Sequence, residues 1–256
     1  MAGVILGGSF NNPTLPSSKS LVHQVSEIPG LVGWFQSDIA SVETDQSGIV
    51  QFNDVAGSQA VFYRNSRDNQ ASLDNAQLES YSASLFNASD SANGLTDCYV
   101  LQGADIAPDS PYTYVVVFKQ SAAVDADGDA LISRFTSSVA RSLFHIDSGS
   151  NRVSFIHGNT PSPKHTFSKD KWCVLVGSFD GTSLKLIGDN ITYPPVVASG
   201  TAGAADIIFG ALNAYGGQPF KGWISDVMLF DRDIISSEQD LSIVKEYMRL
   251  VYGLEM

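Results

Sequence analysis

KWCVLVGSFDGTSLKLIGDN, residues 171–190, decides how the rest of the chain is read. Two apolar runs, KWCVLVGSFD (171–180) and TSLKLIGDN (182–190), meet at Asp180-Gly181. Asp-Gly between two such runs predicts a β-hairpin whose type I′ turn needs positive φ at both central residues. Toward the C-terminus, DIIFGAL (206–212) and FKGWISDVMLFDR (220–232) predict two more strands. Toward the N-terminus, RSLFHID (141–147) and NRVSFIH (151–157) form a second hairpin across SGS. In it Leu143 and His145 face one way, while Ser142, Phe144 and Ile146 face the other. YTYVVVFKQ (112–120) is a continuous β-branched and aromatic run suited to the centre of a sheet. DCYVLQG (97–103), GIVQFND (48–54) and LVGWFQS (31–37) complete the rhythm of a sandwich. Residues 64–94, rich in Asn, Ser and Asp, predict a long surface loop with little strand.

Helix is expected only at the C-terminus. Ser236 is placed as the cap, with Gln239 at the capping-box position. Leu241, Val244, Met248 and Val251 form the apolar stripe, and Gly253 ends it. Residues 1–30 are rich in Gly, Asn, Pro and Ser and read as an extended arm, leaving 31–256 as one all-β domain. A 256-residue chain is long enough for one large β-sandwich.

The net charge of −12 argues against nucleic acid, which needs a Lys/Arg surplus, and against an anionic membrane surface. Cys98 and Cys173 each sit in an apolar run and read as free, buried thiols. The N-terminus has no basic residue before its short apolar patch, so no secretory signal is expected and synthesis is placed in the cytoplasm.

At this point the residues carry a resemblance. Lys171-Trp172 through Phe179-Asp180-Gly181 resembles the W-x-x-V-x-x-x-F-D-G strand of concanavalin A-like, laminin-G-type jelly rolls. Phe220-Lys-Gly222 through Phe230-Asp231-Arg232 is similar to that family's F-x-G-x-I-D-D-V-x-I-Y-N-R segment. Ile234-Ile235-Ser236, the final Val251-Tyr252-Gly253 and the opening Ile28-Pro-Gly-Leu-Val-Gly-Trp34 fit as well. The resemblance covers 171–256 and 28–60, and is only architectural between them. It implies a two-sheet antiparallel jelly-roll sandwich with one C-terminal helix. Gly222 then reads as a place where another backbone approaches, and Trp34, Trp172 and Trp223 as core fillers rather than sugar-stacking platforms.

Catalytic chemistry is sought and not expected. Glycoside hydrolysis on this fold needs paired carboxylates, yet Glu27, Glu43, Glu79, Glu238, Glu246 and Glu255 begin no E-x-D-x-E pattern. Glu238-Gln-Asp240 comes nearest and lies at the helix start. None of His23, His145, His157 or His165 pairs with another histidine or a cysteine at zinc spacing, although His145 and His157 lie on facing hairpin strands. Asp125-Ala-Asp127-Gly128-Asp129 offers alternate carboxylates that suit Ca²⁺, but reads better as a solvated acidic turn. The sequons at Asn87 and Asn190 read as chance. No catalytic residue, metal or cofactor is therefore assigned.

The expected function is structural. We expect an accessory protein of a virus particle, such as a phage head-decoration, collar or tail component located in the virion. The arm would tether it to other virion proteins or to copies of itself in a homo-oligomer, and surface glycans are a further partner. The alternative is a bacterial carbohydrate-binding or adhesion module. A glycoside hydrolase ranks third.

Overall fold

A computed structural model describes residues 18–38, 40–46, 48–64, 71–78, 81–86, 97–122, 128–214 and 217–256. The expected jelly-roll sandwich is observed as two antiparallel sheets. With strands numbered in chain order, the first sheet runs β16 (Ile191–Thr192), β15 (Ser183–Gly188), β14 (Cys173–Phe179), β8 (Tyr112–Gln120), β19 (Gly222–Phe230), β6 (Tyr81–Phe86), β5 (Ser72–Leu78). β1 (Leu31–Gln36) also pairs with β19, and β17 (Val196–Val197) with β15. The second sheet runs β12 (Thr160–Pro161), β11 (Arg152–His157), β10 (Ala140–Ile146), β9 (Ala130–Ser137), β18 (Ile207–Phe209), β7 (Tyr99–Gln102), β4 (Val61–Arg64), β3 (Gly48–Asn53), β2 (Val42–Asp45). β13 (His165–Thr166) adds to β11.

The main core lies between the sheets, where Phe52, Phe86, Tyr99 and Phe209 pack mostly edge to face with centroids 4.9–6.0 Å apart, Tyr99 and Phe209 being tilted at 6.2 Å. β8 explains its own unbroken apolar sequence. Val116 and Phe118 point into the sandwich, while Val115 and Val117 point out beneath two helices, so both faces are buried. Those helices are α1 (Ser18–Ser26) and α2 (Glu238–Tyr252). Leu21 and Val25 of α1 and Val244, Tyr247 and Met248 of α2 join Trp34, Val174, Val176, Met228 and Phe230 in this second apolar layer.

Several expectations are corrected. Residues 18–26, within the predicted extended arm, form α1, and burial of Leu21 and Val25 against the chain's own domain supplies the reason. Residues 1–17 lie outside the described residues. The polar 64–94 segment contains β5 and β6, which pair with each other and, through β6, with β19; its polar residues disguised it, although Ser84 is fully buried, where its hydroxyl donates to Ser37 Oγ. β9 was not anticipated, because Ser133 and Arg134 interrupt its apolar run although both are buried. The cap of α2 is Ser237, whose Oγ accepts the Asp240 N–H at 3.4 Å, whereas Ser236 Oγ donates to Asp233 at 2.5 Å. Gly253 closes the helix in the left-handed region, as read. At Asp180-Gly181 only the glycine has positive φ. The Asp180 carboxylate instead accepts the N–H groups of Thr182 and Ser183 at 2.9 and 2.7 Å, holding a three-residue connection, 180–182, rather than a type I′ turn.

α2 is fastened by one buried carboxylate. Asp226 Oδ1 accepts the Trp34 indole N–H at 2.8 Å, and Oδ2 accepts the hydroxyls of Tyr247 and Tyr252 at 2.9 and 2.8 Å. Burial pushes this carboxyl from 3.8 up to about 6, although the surrounding donors favour its ionised form. The folded chain therefore takes up a proton here between about pH 4 and 6, and this group's contribution to stability falls as pH rises through that window. Asp226→Asn is expected to remove that fall, on the order of 3 kcal/mol, in urea unfolding compared at pH 4 and pH 7. An unchanged difference would assign the pH dependence to other groups.

Candidate functional site

The two outer faces of the sandwich differ. The helices seal the middle of the first sheet's outer face, and beyond them three side chains cross adjacent strands. Val115 and Val117 of β8 point outward, so Lys119 does too. The same alternation turns Trp223 outward next to inward Ile224, and Trp172 outward next to inward Cys173. Register places Trp223 directly opposite Lys119, and Cys173 opposite Phe118, so the three form a Trp172–Lys119–Trp223 stripe. The Lys119 ammonium lies 4.3 Å from the Trp223 ring centroid and 5.3 Å from that of Trp172. The Trp223 indole N–H donates to Asp74 Oδ2 at 3.1 Å, which fixes the ring's rotation.

Both indoles are only partly buried, whereas Trp34 is fully buried. The core assignment thus holds for Trp34 and is corrected for Trp172 and Trp223. The physical reason is position along the strand: Trp172 directly precedes β14 and Trp223 is the second residue of β19, so each stands at a strand end, Trp172 still packed on the margin of the second apolar layer. Gly222 plays the part expected of it, since a Cβ there would lie 2.3 Å from the Lys119 carbonyl oxygen. Lys171 precedes Trp172 and Lys221 lies two residues before Trp223. A chain of net charge −12 therefore carries cationic residues beside this stripe. Sequence reasoning missed Lys119. The signal was the Lys beside each of two tryptophans, in K-W-C and K-G-W, and a third Lys ending the most apolar strand.

The second sheet's outer face carries Leu143 and Ile156, which pack with Ala130 and Leu212. His145 stands beside them, and burial lowers its pKa below the ordinary histidine value. His145 and His157 do not meet: His145 is opposite Ser154, and His157 opposite Ser142. His157 points into the sandwich, stacked on Phe179 at 3.9 Å with its Nδ1 3.0 Å from the Tyr112 hydroxyl. Burial lowers its pKa as well.

Cys98 and Cys173 are buried thiols that form no disulfide, as read. Of the acidic turn, Asp125 and Asp127 lie outside the described residues. Asp129 is fully buried and accepts the Gln120 side-chain amide at 3.1 Å, so it is not part of a solvated turn. Asp240 is paired with Arg232 at 2.9 Å. The Asn87 sequon lies outside the described residues, and Asn190 is exposed. Among the described residues no helix is long and apolar enough to cross a membrane.

No protein-family model matches the sequence, and no curated protein matches it. Solved structures do share the fold. The binding domain of botulinum neurotoxin serotype D is similar with TM-score 0.59 and 14% identity, over 93% of this chain and 56% of that one. Trypanosoma rangeli sialidase, solved with the inhibitor DANA, is similar with TM-score 0.58 and 12% identity, over 90% of this chain and 37% of that one. Domain 4 of AbnA, a GH43 extracellular arabinanase from Geobacillus stearothermophilus, was solved in complex with arabinotriose. It is similar with TM-score 0.50 and 13% identity, over 78% of this chain and 91% of that one. The chain thus spans little more than half of the toxin domain and about a third of the sialidase. These likenesses establish the β-sandwich fold.

The unequal exposure of the tryptophans has a direct optical consequence. A Trp172→Phe, Trp223→Phe variant, which keeps only Trp34, is expected to emit at shorter wavelength and to resist acrylamide quenching. Quenching equal to that of the wild type would place Trp34 in contact with solvent.

Proposed function

We propose that this domain binds carbohydrate without turning it over, and that the sugar lies on the Trp172–Lys119–Trp223 stripe. The observation that carries the proposal is the pair of partly exposed indoles flanking one ammonium on adjacent strands. An indole face buries the C–H face of a pyranose at little cost in conformational entropy, and its fixed rotation pre-organises the contact. Lys119 and Asp74 supply polar groups at the same place, the combination of apolar surface and a few polar contacts that ligand sites use. The ammonium, with Lys171 and Lys221 nearby in the chain, favours sugars that bear a carboxylate. The likeness to a domain solved with arabinotriose and to a toxin's binding domain supports a binding role for the fold, while function is decided at the site.

A glycan array followed by calorimetry tests the proposal. Carboxylate-bearing glycans are expected among the saturable hits. Trp223→Ala should weaken them at least about tenfold, or about 1.4 kcal/mol. Lys119→Gln should weaken acidic glycans more than neutral ones. A blank array, or affinity unchanged in Trp223→Ala, rejects the stripe as the site.

The virion-assembly role, with the arm as tether and particle proteins or further copies as partners, is a separate proposal supported by the sequence of residues 1–17. Because α1 docks on the domain itself, deleting only residues 1–17 is expected to preserve the thermal melt and abolish incorporation into a particle. Undiminished incorporation of the truncated chain removes that role.

A further inference from the structure

On the inward side of the strand that follows Trp172, at the sandwich edge formed by β13 and β15, three groups of different chemistry converge from both sheets. β13 pairs with β11 of the second sheet, Val153 opposite His165, and the imidazole is buried. It crosses toward the first sheet where that sheet offers no side chain: a Cβ on Gly188 would lie 2.4 Å from the His165 ring. Asp189 follows at φ 48°, a left-handed conformation that a non-glycine residue adopts at a cost. Its backbone N–H bonds the Val174 carbonyl at 2.9 Å and its Oδ1 accepts the Val174 N–H at 3.1 Å. The carboxylate is thereby clamped with Oδ2 3.2 Å from His165 Nε2. Cys173, at the start of β14, points inward from the neighbouring strand. The ligand atoms of His165, Cys173 and Asp189 all lie within 4.8 Å of one another.

We infer that His165, Cys173 and Asp189 form a binding site for a divalent ion of the zinc type, clipping the two sheets together at this edge. Zinc bonds of about 2.0–2.3 Å set tetrahedral ligand spacings of roughly 3.3–3.8 Å. The His165–Asp189 edge, at 3.2 Å, is within about 0.1 Å of that spacing, and a displacement of the thiol on the order of 1 Å completes the triangle. A sulfur, a nitrogen and an oxygen ligand suit a borderline-soft ion better than calcium or magnesium, which take oxygen alone. The second imidazole nitrogen, Nδ1, is 3.1 Å from the Tyr193 hydroxyl, the outer partner that fixes ring orientation at metal-bound histidines. Asp189 is the exposed corner, its side chain 39% accessible, through which an ion enters and where a water takes the fourth position.

The test uses tag-free full-length protein stripped with a chelator. Co²⁺ titration is expected to give a thiolate-to-metal band in the near ultraviolet and tetrahedral visible bands saturating at one ion per chain. Zn²⁺ is expected to displace the colour and to raise Tm by about 5–10 °C at a hundredfold excess over its dissociation constant. Cys173→Ser should lose the ultraviolet band, and Asp189→Asn should weaken binding at least about tenfold, a milder change at the exposed corner. Cys98→Ser, which removes the other thiol, should keep both the band and the stoichiometry. The inference is overturned if wild-type protein gives neither the Co²⁺ spectrum nor a Zn²⁺ shift in Tm, or if the band survives in Cys173→Ser.

Discussion

The helical side of this molecule depends on where one carboxylate points. Strict alternation along β19 would put Asp226 on the same face as Ile224, inside the sandwich. The register of β19 against β8 slips between Ile224 and Asp226, and that bulge turns Asp226 outward while Val227 and Leu229 return to the core. Outside, it meets the Trp34 indole from β1 and the Tyr247 and Tyr252 hydroxyls from α2. Each donor is buried or partly so and would cost free energy if left unpaired. One side chain therefore joins two strands and a helix, and the edge-to-face contact of Trp34 with Tyr247, centroids 5.1 Å apart, fits around it.

That attachment divides the outer face of the first sheet. Where α1 and α2 lie over it, the outward residues are Val115, Val117, Val174, Val176 and Met228. Past the helices the same three strands carry Trp172, Lys119 and Trp223, side chains with an apolar body and a polar end that suit a half-exposed surface. The stripe is the continuation of a buried face, which is why its side chains are aligned across neighbouring strands.

The hairpins and the central strand were legible because their physics is local. YTYVVVFKQ carries its own burial on both faces, and β8 occupies its predicted span, Tyr112–Gln120. β5 and β6 were not legible, since β6 pairs with β19, about 140 positions away, and β5 is held through β6, in a segment that is mostly polar. α1 was hidden for a similar reason: a nine-residue helix is not stable alone and exists because Leu21 and Val25 find the layer under α2. Of the candidate site, Trp172 and Trp223 were read as core fillers, and their partial exposure was not legible because it depends on what the tertiary fold packs over each strand end.

By itself the sequence determined the fold class, the sandwich strands around Asp180-Gly181, the terminal helix with its Gly253 stop, and two buried thiols that form no disulfide. These follow from periodicity, turn chemistry and hydrophobicity, which act over a few residues. Only the tertiary structure decided which tryptophans reach solvent and that Asp226 is buried. It also decided that His165, Cys173 and Asp189, which share no motif spacing, come within 4.8 Å. The physical reason is that two sheets must close on one another before residues from β13, β14 and the end of β15 share one edge, and no local rule of the chain specifies that meeting.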